Sequence, residues 1–138
     1  MTDGWEPRPT PDPTPETAPY WEGAADGRLL LRRCRDCDLT YYYPRARCPD
    51  CLGDDVEWVE AAGTGEVYAH TATEHVSDWP EAALPLVLAY VELDEGPRML
   101  ATLLECDPSD VGVGTRVEAT FVETSAEDVS VPAFEPVE

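Results

Sequence analysis

From Val56 onward, hydrophobic and polar residues alternate along most of the chain, the period-two pattern of half-buried strands. Thr64–His75 places Val67, Ala69, Thr71 and Thr73 on one face, and Gly63-Thr64-Gly65 before them reads as a bulged strand entry. Leu84–Leu93 is more apolar, with Val87, Ala89, Val91 and Leu93 together. Asp94-Glu95-Gly96-Pro97 is a turn, so Arg98–Cys106 is expected to return as a hairpin partner. Gly112 and Gly114 punctuate a loop, after which Thr115–Thr124 points Val117, Ala119 and Phe121 inward. Four or five strands at this spacing leave no room for crossover helices, so a small antiparallel barrel or sandwich is predicted. An open Greek-key barrel of the OB kind fits best. From Ser125 the chain is acidic and carries two prolines but no arginine, which predicts a loosely attached tail.

The N-terminal part has a different texture. Pro7, Pro9, Pro11, Pro13, Pro15 and Pro19 remove backbone donors and favour an extended, solvated arm, with Trp5 as a single anchor. Thr17 suits a helix N-cap, Pro19 its first turn and Gly27 its stop. On that helix Tyr20 with Ala24, and Trp21 with Ala25, form adjacent rows. The two aromatics either pack on the domain or present a docking face. Arg28–Arg33 reads as a strand leading into Cys34. Trp79, in the loop Val76–Ala83, is a further interface candidate.

Charge narrows the function classes. The 138 residues carry 29 acids against 9 bases, a net charge of −20, and a pI near 4.1. Nucleic-acid binding requires clustered cations and is disfavoured. No apolar run is long enough to span a membrane, and Met1–Thr10 is too polar for a signal peptide, which together imply a cytoplasmic protein. All nine bases are arginine and there is no lysine. With so many carboxylates, this suggests a halophilic protein whose acidic surface is adapted to high salt.

Cys34-Arg35-Asp36-Cys37 and Cys48-Pro49-Asp50-Cys51 carry the sharpest chemistry. Two C-x-x-C turns facing each other complete a tetrahedral four-sulfur site. Disulfides are the alternative, disfavoured by compartment and by the strain of closing so short a loop. Zinc is preferred over iron. Rubredoxin-type iron knuckles usually place glycine after the second cysteine, where a positive φ is needed, whereas Asp38 and Leu52 stand there. Such a closed site staples a short ribbon and leaves no position for catalysis. Arg28, Arg32, Arg33, Arg35, Arg45 and Arg47 cluster around it with only Asp36 and Asp38 in the same span, a cationic patch on an anionic chain. That patch either offsets the thiolates or receives a phosphate-bearing ligand or an acidic partner surface. His70, His75 and Cys106 lack the companions of a nucleophilic site, and no phosphate-binding glycine loop is present, so no catalytic residue is assigned.

The strings Tyr20-Trp21-Glu22-Gly23, Gly27-Arg28-Leu29-Leu30-Leu31 and Pro44-Arg45-x-x-Cys48-Pro49-x-Cys51 occur together here. With Gly63-x-Gly65-x-Val67-Tyr68 and Val91-x-Leu93-x-Glu95-Gly96-Pro97-Arg98, they resemble the acyl-CoA-associated zinc-ribbon/OB-fold family, formerly a domain of unknown function. The resemblance runs from about Thr17 to Glu123 and implies a mainly β fold: a short N-terminal helix, a rubredoxin-like zinc ribbon and a five-stranded OB-type antiparallel barrel. The expected division is a disordered proline-rich arm (1–16), helix and ribbon (17–60), OB barrel (61–124) and acidic C-terminal tail (125–138). Members are generally non-catalytic scaffold subunits of thiolase-superfamily acyl-CoA enzymes, organising the complex or helping acyl-CoA pass between sites. By that resemblance Cys34, Cys37, Cys48 and Cys51 bind one structural zinc. Arg28, Arg32, Arg33, Arg45 and Arg47 become contacts for CoA phosphates or the partner, and Tyr20, Trp21 and Trp79 interface candidates. The proline arm and the absent knuckle glycines depart from the family pattern. A stand-alone rubredoxin-like iron electron carrier is the rival reading.

Overall fold

Thr14 and Thr17 set the start of the one α-helix among the described residues, in a computed structural model that describes residues 11–74, 85–123 and 129–137. Helix α1 spans Ala18–Ala25 with proline in its first turn. Thr17 occupies the N-cap position without capping through its side chain. Its hydroxyl instead accepts the Thr14 backbone N–H at 2.9 Å, and the Ala18 N–H donates to the Thr14 carbonyl at 2.7 Å. The expected cap is thus replaced by a turn upstream. The helix stops as expected: Gly27 takes φ +77°, its N–H donates to the Ala24 carbonyl at 3.0 Å, and the Arg28 N–H reaches the Gly23 carbonyl at 2.8 Å. This is the paired bonding of a Schellman stop, in which glycine supplies the left-handed residue. The inner end of the proline arm is also held, because the Ala46 N–H donates to the Glu16 carboxylate at 2.9 Å.

Strands β1 (Leu30–Cys34), β2 (Thr40–Tyr41) and β3 (Val56–Glu60) form a small sheet in the order β2-β1-β3. The chain runs from β3 almost directly into β4 (Thr64–Thr73), followed by β5 (Leu86–Leu93), β6 (Arg98–Leu103), β7 (Arg116–Glu123) and β8 (Ser130–Pro136). These five close a barrel in the order β4-β5-β6-β8-β7. The pairing of β6 with β8 is parallel, through Leu103 and Phe134, whereas the other neighbours are antiparallel.

Two expectations are corrected here. Residues 130–136, expected within a loose tail, are the closing strand of the barrel. Ala133 and Phe134 are wholly buried there, and the strand pairs with β7 from Ser130↔Glu123 to Pro136↔Val117. Pro132 and Pro136 flank the buried pair and lie outside the one rung that β8 makes with β6, Leu103↔Phe134. On β4 the bulge falls between Val67 and Ala69, later than the glycine entry. The extra residue reverses the faces, so Val67 is buried whereas Ala69 and Thr71 turn outward, opposite Tyr90 and Leu88. Elsewhere the alternation holds: Val87, Ala89, Val91 and Leu93 of β5 are all at most 3% exposed.

Helix, ribbon and barrel share one core. Tyr20, Leu29 and Leu31 belong to the same buried cluster as Val67, Val91, Met99, Val117 and Phe134, and α1 packs against β1 and β8. Among the described residues no helix is long and apolar enough to cross a membrane.

Candidate metal centre

The ribbon builds the same turn twice. Cys34 ends β1, and its carbonyl accepts the Asp38 N–H at 2.9 Å while its own N–H donates to the Leu39 carbonyl at 2.8 Å. Cys48 repeats this with Leu52 and Gly53, both at 2.9 Å. Asp38 and Leu52 take φ of +64° and +63°. The left-handed conformation, which Asp adopts readily and Leu poorly, is therefore reached by both residues, so the residue types there do not separate zinc from iron.

All four sulfurs lie within 4.8 Å of one another. Across the two knuckles, Cys34 Sγ is 3.6 Å from Cys51 Sγ, and Cys37 Sγ is 3.5 Å from Cys48 Sγ. A tetrahedral cation with metal–sulfur bonds near 2.3 Å needs sulfurs about 3.8 Å apart, so the cluster fits one ion with little adjustment. All five cysteines are unbridged, and the cross-knuckle sulfurs stand well beyond the roughly 2.05 Å of a disulfide bond. Cys34 and Cys48 are buried, whereas Cys37 and Cys51 face outward.

The backbone prepares one sulfur for charge. The Cys51 N–H and then the Asp50 N–H pull the Cys48 thiol down to about 7, at 3.5 and 3.4 Å. At Cys37 the Leu39 backbone hydrogen bond also acts downward. Neighbouring Cys48, burial and the other two sulfurs outweigh it and push the thiol up to about 12. The backbone thus favours the thiolate at Cys48, and a bound cation favours it at all four sulfurs.

The structure divides the predicted arginine patch. Arg28 lies 3.7 Å from both Asp26 and Glu60. Arg33 pairs with Asp38 and, at 2.9 Å, with Glu57, while Arg35 pairs with Asp55 and Glu57 at 3.0 and 3.4 Å. The Arg33 hydrogen bond, followed by the charge of Arg35, holds the Glu57 carboxyl below its ordinary range. Arg32 stacks 4.2 Å over the Trp58 ring, its cross-strand partner. Arg28 and Arg33 are thus internally compensated and Arg32 is half-buried against an aromatic. Arg45 and Arg47 are exposed and, among the described residues, show no carboxylate partner. Arg47 donates to the Leu52 carbonyl at 3.2 Å, and both arginines line a shallow groove of about 550 Å³ with Tyr43, Pro44, Pro49, Leu52 and Glu16, whose carboxylate is engaged by the Ala46 N–H.

Tyr20, an interface candidate by sequence, is 1% exposed. Its ring packs edge-on against Trp21 and Tyr42, so it is a core residue and offers no docking surface. Trp21 is partly buried against the same cluster. Trp79 and His75 lie outside the described residues. His70 is exposed on β4. The half-buried Cys106 thiol is pushed up by burial and by Asp110, Asp107 and Glu105.

Sequence relatives match this architecture. The rubredoxin-like zinc ribbon domain of ChsH2 matches residues 21–57, and the C-terminal OB-fold domain of ChsH2 matches residues 58–122. A DUF35 domain-containing scaffold protein of Methanocaldococcus jannaschii is 34% identical over 94 residues, covering 67% of each chain. This chain belongs to the DUF35 zinc-ribbon/OB-fold family. Within that family, a solved structure of the Ltp2-ChsH2(DUF35) aldolase superposes with a TM-score of 0.79 at 33% identity, covering 91% of this chain and 98% of that one. A probable enoyl-CoA hydratase alpha subunit of Thermomonospora curvata is 35% identical over 129 residues. These span 94% of this chain but 40% of the hydratase subunit, so this DUF35 chain covers less than half of that relative's length. The family's ribbon supplies four cysteines placed to hold a metal ion.

Proposed function

We propose that this chain is a non-catalytic accessory subunit of a thiolase-superfamily acyl-CoA enzyme in the cytoplasm. It organises the complex and helps acyl-CoA pass between sites. The observation that carries the reading is its likeness, over 91% of its length, to the ChsH2(DUF35) component of an aldolase assembly. The hydratase alpha subunits among its relatives add the CoA-ester context.

In this reading the ion held by Cys34, Cys37, Cys48 and Cys51 is zinc. Four thiolates fill its coordination shell, so the metal fixes the ribbon and takes no part in turnover. Arg45 and Arg47, which show no carboxylate partner among the described residues, face CoA phosphates or acidic residues of the partner. A guanidinium pair recognises either by charge-assisted hydrogen bonds.

The test is co-purification of a tagged chain at native salt, with mass spectrometry and metal analysis. A thiolase-fold subunit with one zinc per chain supports the reading. A lone, red, iron-loaded monomer overturns it in favour of the electron carrier, whose knuckles Asp38 and Leu52 also satisfy. Arg45→Glu with Arg47→Glu should weaken partner or CoA binding without altering metal content, and unchanged binding removes the arginines from the proposal.

A further inference from the structure

The outward positions of β4, β5 and β6 form an uncharged field on the barrel. Ala69 lies opposite Tyr90, and Tyr90 opposite Leu100. One rung further, Thr71, Leu88 and Thr102 align. Beside them stands Tyr68, the residue between Val67 and Ala69 where the register shifts. Tyr68, Tyr90 and Leu100 remain 48%, 49% and 50% exposed. In a chain that is 28% charged, two adjacent rungs across three strands without a charge mark this face apart.

One margin is charged and ordered. Glu66, Glu92 and Arg98 share the next rung, Arg98 donates to Glu92 at 3.2 Å, and its guanidinium sits 3.8 Å over the Tyr68 ring. The tyrosine is thereby oriented before anything binds, which lowers the entropic cost of using it as a contact. Tyrosine also supplies large contact area with few rotatable bonds.

Charge selects the occupant. A nucleic acid would meet a chain of net charge −20, and a second copy would oppose −20 to −20. A protein surface with an apolar centre and a basic rim meets both the field and its margin, where Glu66 and Glu92 face one guanidinium, Arg98. We infer that the outer face of β4–β6, centred on Tyr90 and Leu100, docks the partner subunit through such a surface. This rests on the accessory-subunit reading and gives it a second contact, separate from the Arg45/Arg47 groove.

The experiment uses the full metal-loaded chain and the purified thiolase-fold subunit, titrated at native salt by calorimetry. Variants are Tyr90→Ala and Leu100→Asp, both outward-facing, with thermal unfolding and metal content as fold controls. Each variant is expected to weaken binding by about 30-fold or more, the loss that marks a hot-spot residue at an interface centre. Radical footprinting of the wild-type complex should show Tyr68 and Tyr90 protected. Unchanged affinity together with unprotected tyrosines overturns the docking face while leaving the accessory role standing. Absence of wild-type binding to the thiolase-fold subunit overturns both. Concentration-dependent dimerisation of the chain alone, abolished by Leu100→Asp, assigns the face to a second copy and also overturns the inference.

Discussion

Replacing Phe134 by alanine tests whether β8 belongs to the barrel. The ring is fully buried. Its strand pairs with Leu103 on one side and Ala119 on the other, and its carbonyl accepts the Leu104 N–H at 2.8 Å. Transferring a phenylalanine side chain out of water is worth about 1.5–3 kcal/mol. A closed barrel cannot collapse onto the vacated volume, so the cavity adds to that and the total cost becomes about 3–5 kcal/mol. Against a typical stability of about 5–15 kcal/mol this is a large fraction. With a urea slope of about 1–3 kcal/mol/M, the midpoint should fall by about 2 M. The assay is equilibrium urea unfolding followed by far-ultraviolet circular dichroism, with metal bound and salt held constant. Glu135→Ala, a neighbour whose side chain is only half-buried, serves as the control and should stay within about 0.5 kcal/mol. Equal midpoints for the two variants at unchanged slope would refute the reasoning and restore residues 130–136 to a loose tail.

Gly65→Ala should lower the urea midpoint by the equivalent of about 1–3 kcal/mol, because a Cβ there would stand 2.4 Å from the Glu92 carbonyl oxygen; a neutral result would mean the two strands can separate. The Asp94 carboxyl is held below its ordinary range by the Arg116 and then the Thr64 hydrogen bonds. The unfolded chain therefore binds more protons than the folded one across that interval, so stability is present above about pH 3.9 and is lost as pH falls through the lowered value. Arg116→Gln should flatten that acid limb in urea midpoints measured across it, and an unaltered limb would assign it to other carboxylates. Stripping the metal with a chelator should raise the thiols reactive to Ellman's reagent from Cys106 alone to all five, and Cys51→Ser should abolish stoichiometric metal binding, read by elemental analysis.

Features legible in the sequence were those whose cause is local. The cysteine spacing of each knuckle already places two sulfurs on one turn, and the Asp94–Pro97 turn fixes the hairpin register between β5 and β6. Gly27 marks the end of α1 because only its own backbone conformation is at issue. What escaped depends on distant partners. In β8 the two buried residues, Ala133 and Phe134, are adjacent rather than alternating, so no period-two signal exists. The bulge at Tyr68 has no signature beyond the strand it distorts, yet it turns Ala69 and Thr71 outward and helps create the uncharged field. The division of the arginines was equally hidden. Glu57 and Asp55 reach Arg33 and Arg35 only after β3 pairs with β1, and until then all six look alike. Leu52 shows the reverse case: its residue type argued against a left-handed backbone that the knuckle nevertheless imposes.

The placement of β8 also governs the order of events during synthesis. The ribbon, with all four sulfurs and strands β1–β3, is complete by Glu60, so it can take up metal while the barrel is still being made. The barrel cannot close in the same way. The strand that seals it lies between β6 and β7 yet follows both in the chain, so each of those strands emerges from the ribosome with an unpaired edge. Until β8 arrives, the nascent protein is a finished ribbon joined to an open, sticky sheet, and sealing it is a late, non-local step. The 29 acidic residues then have a use before folding ends, since their hydrated carboxylates keep such half-made chains soluble.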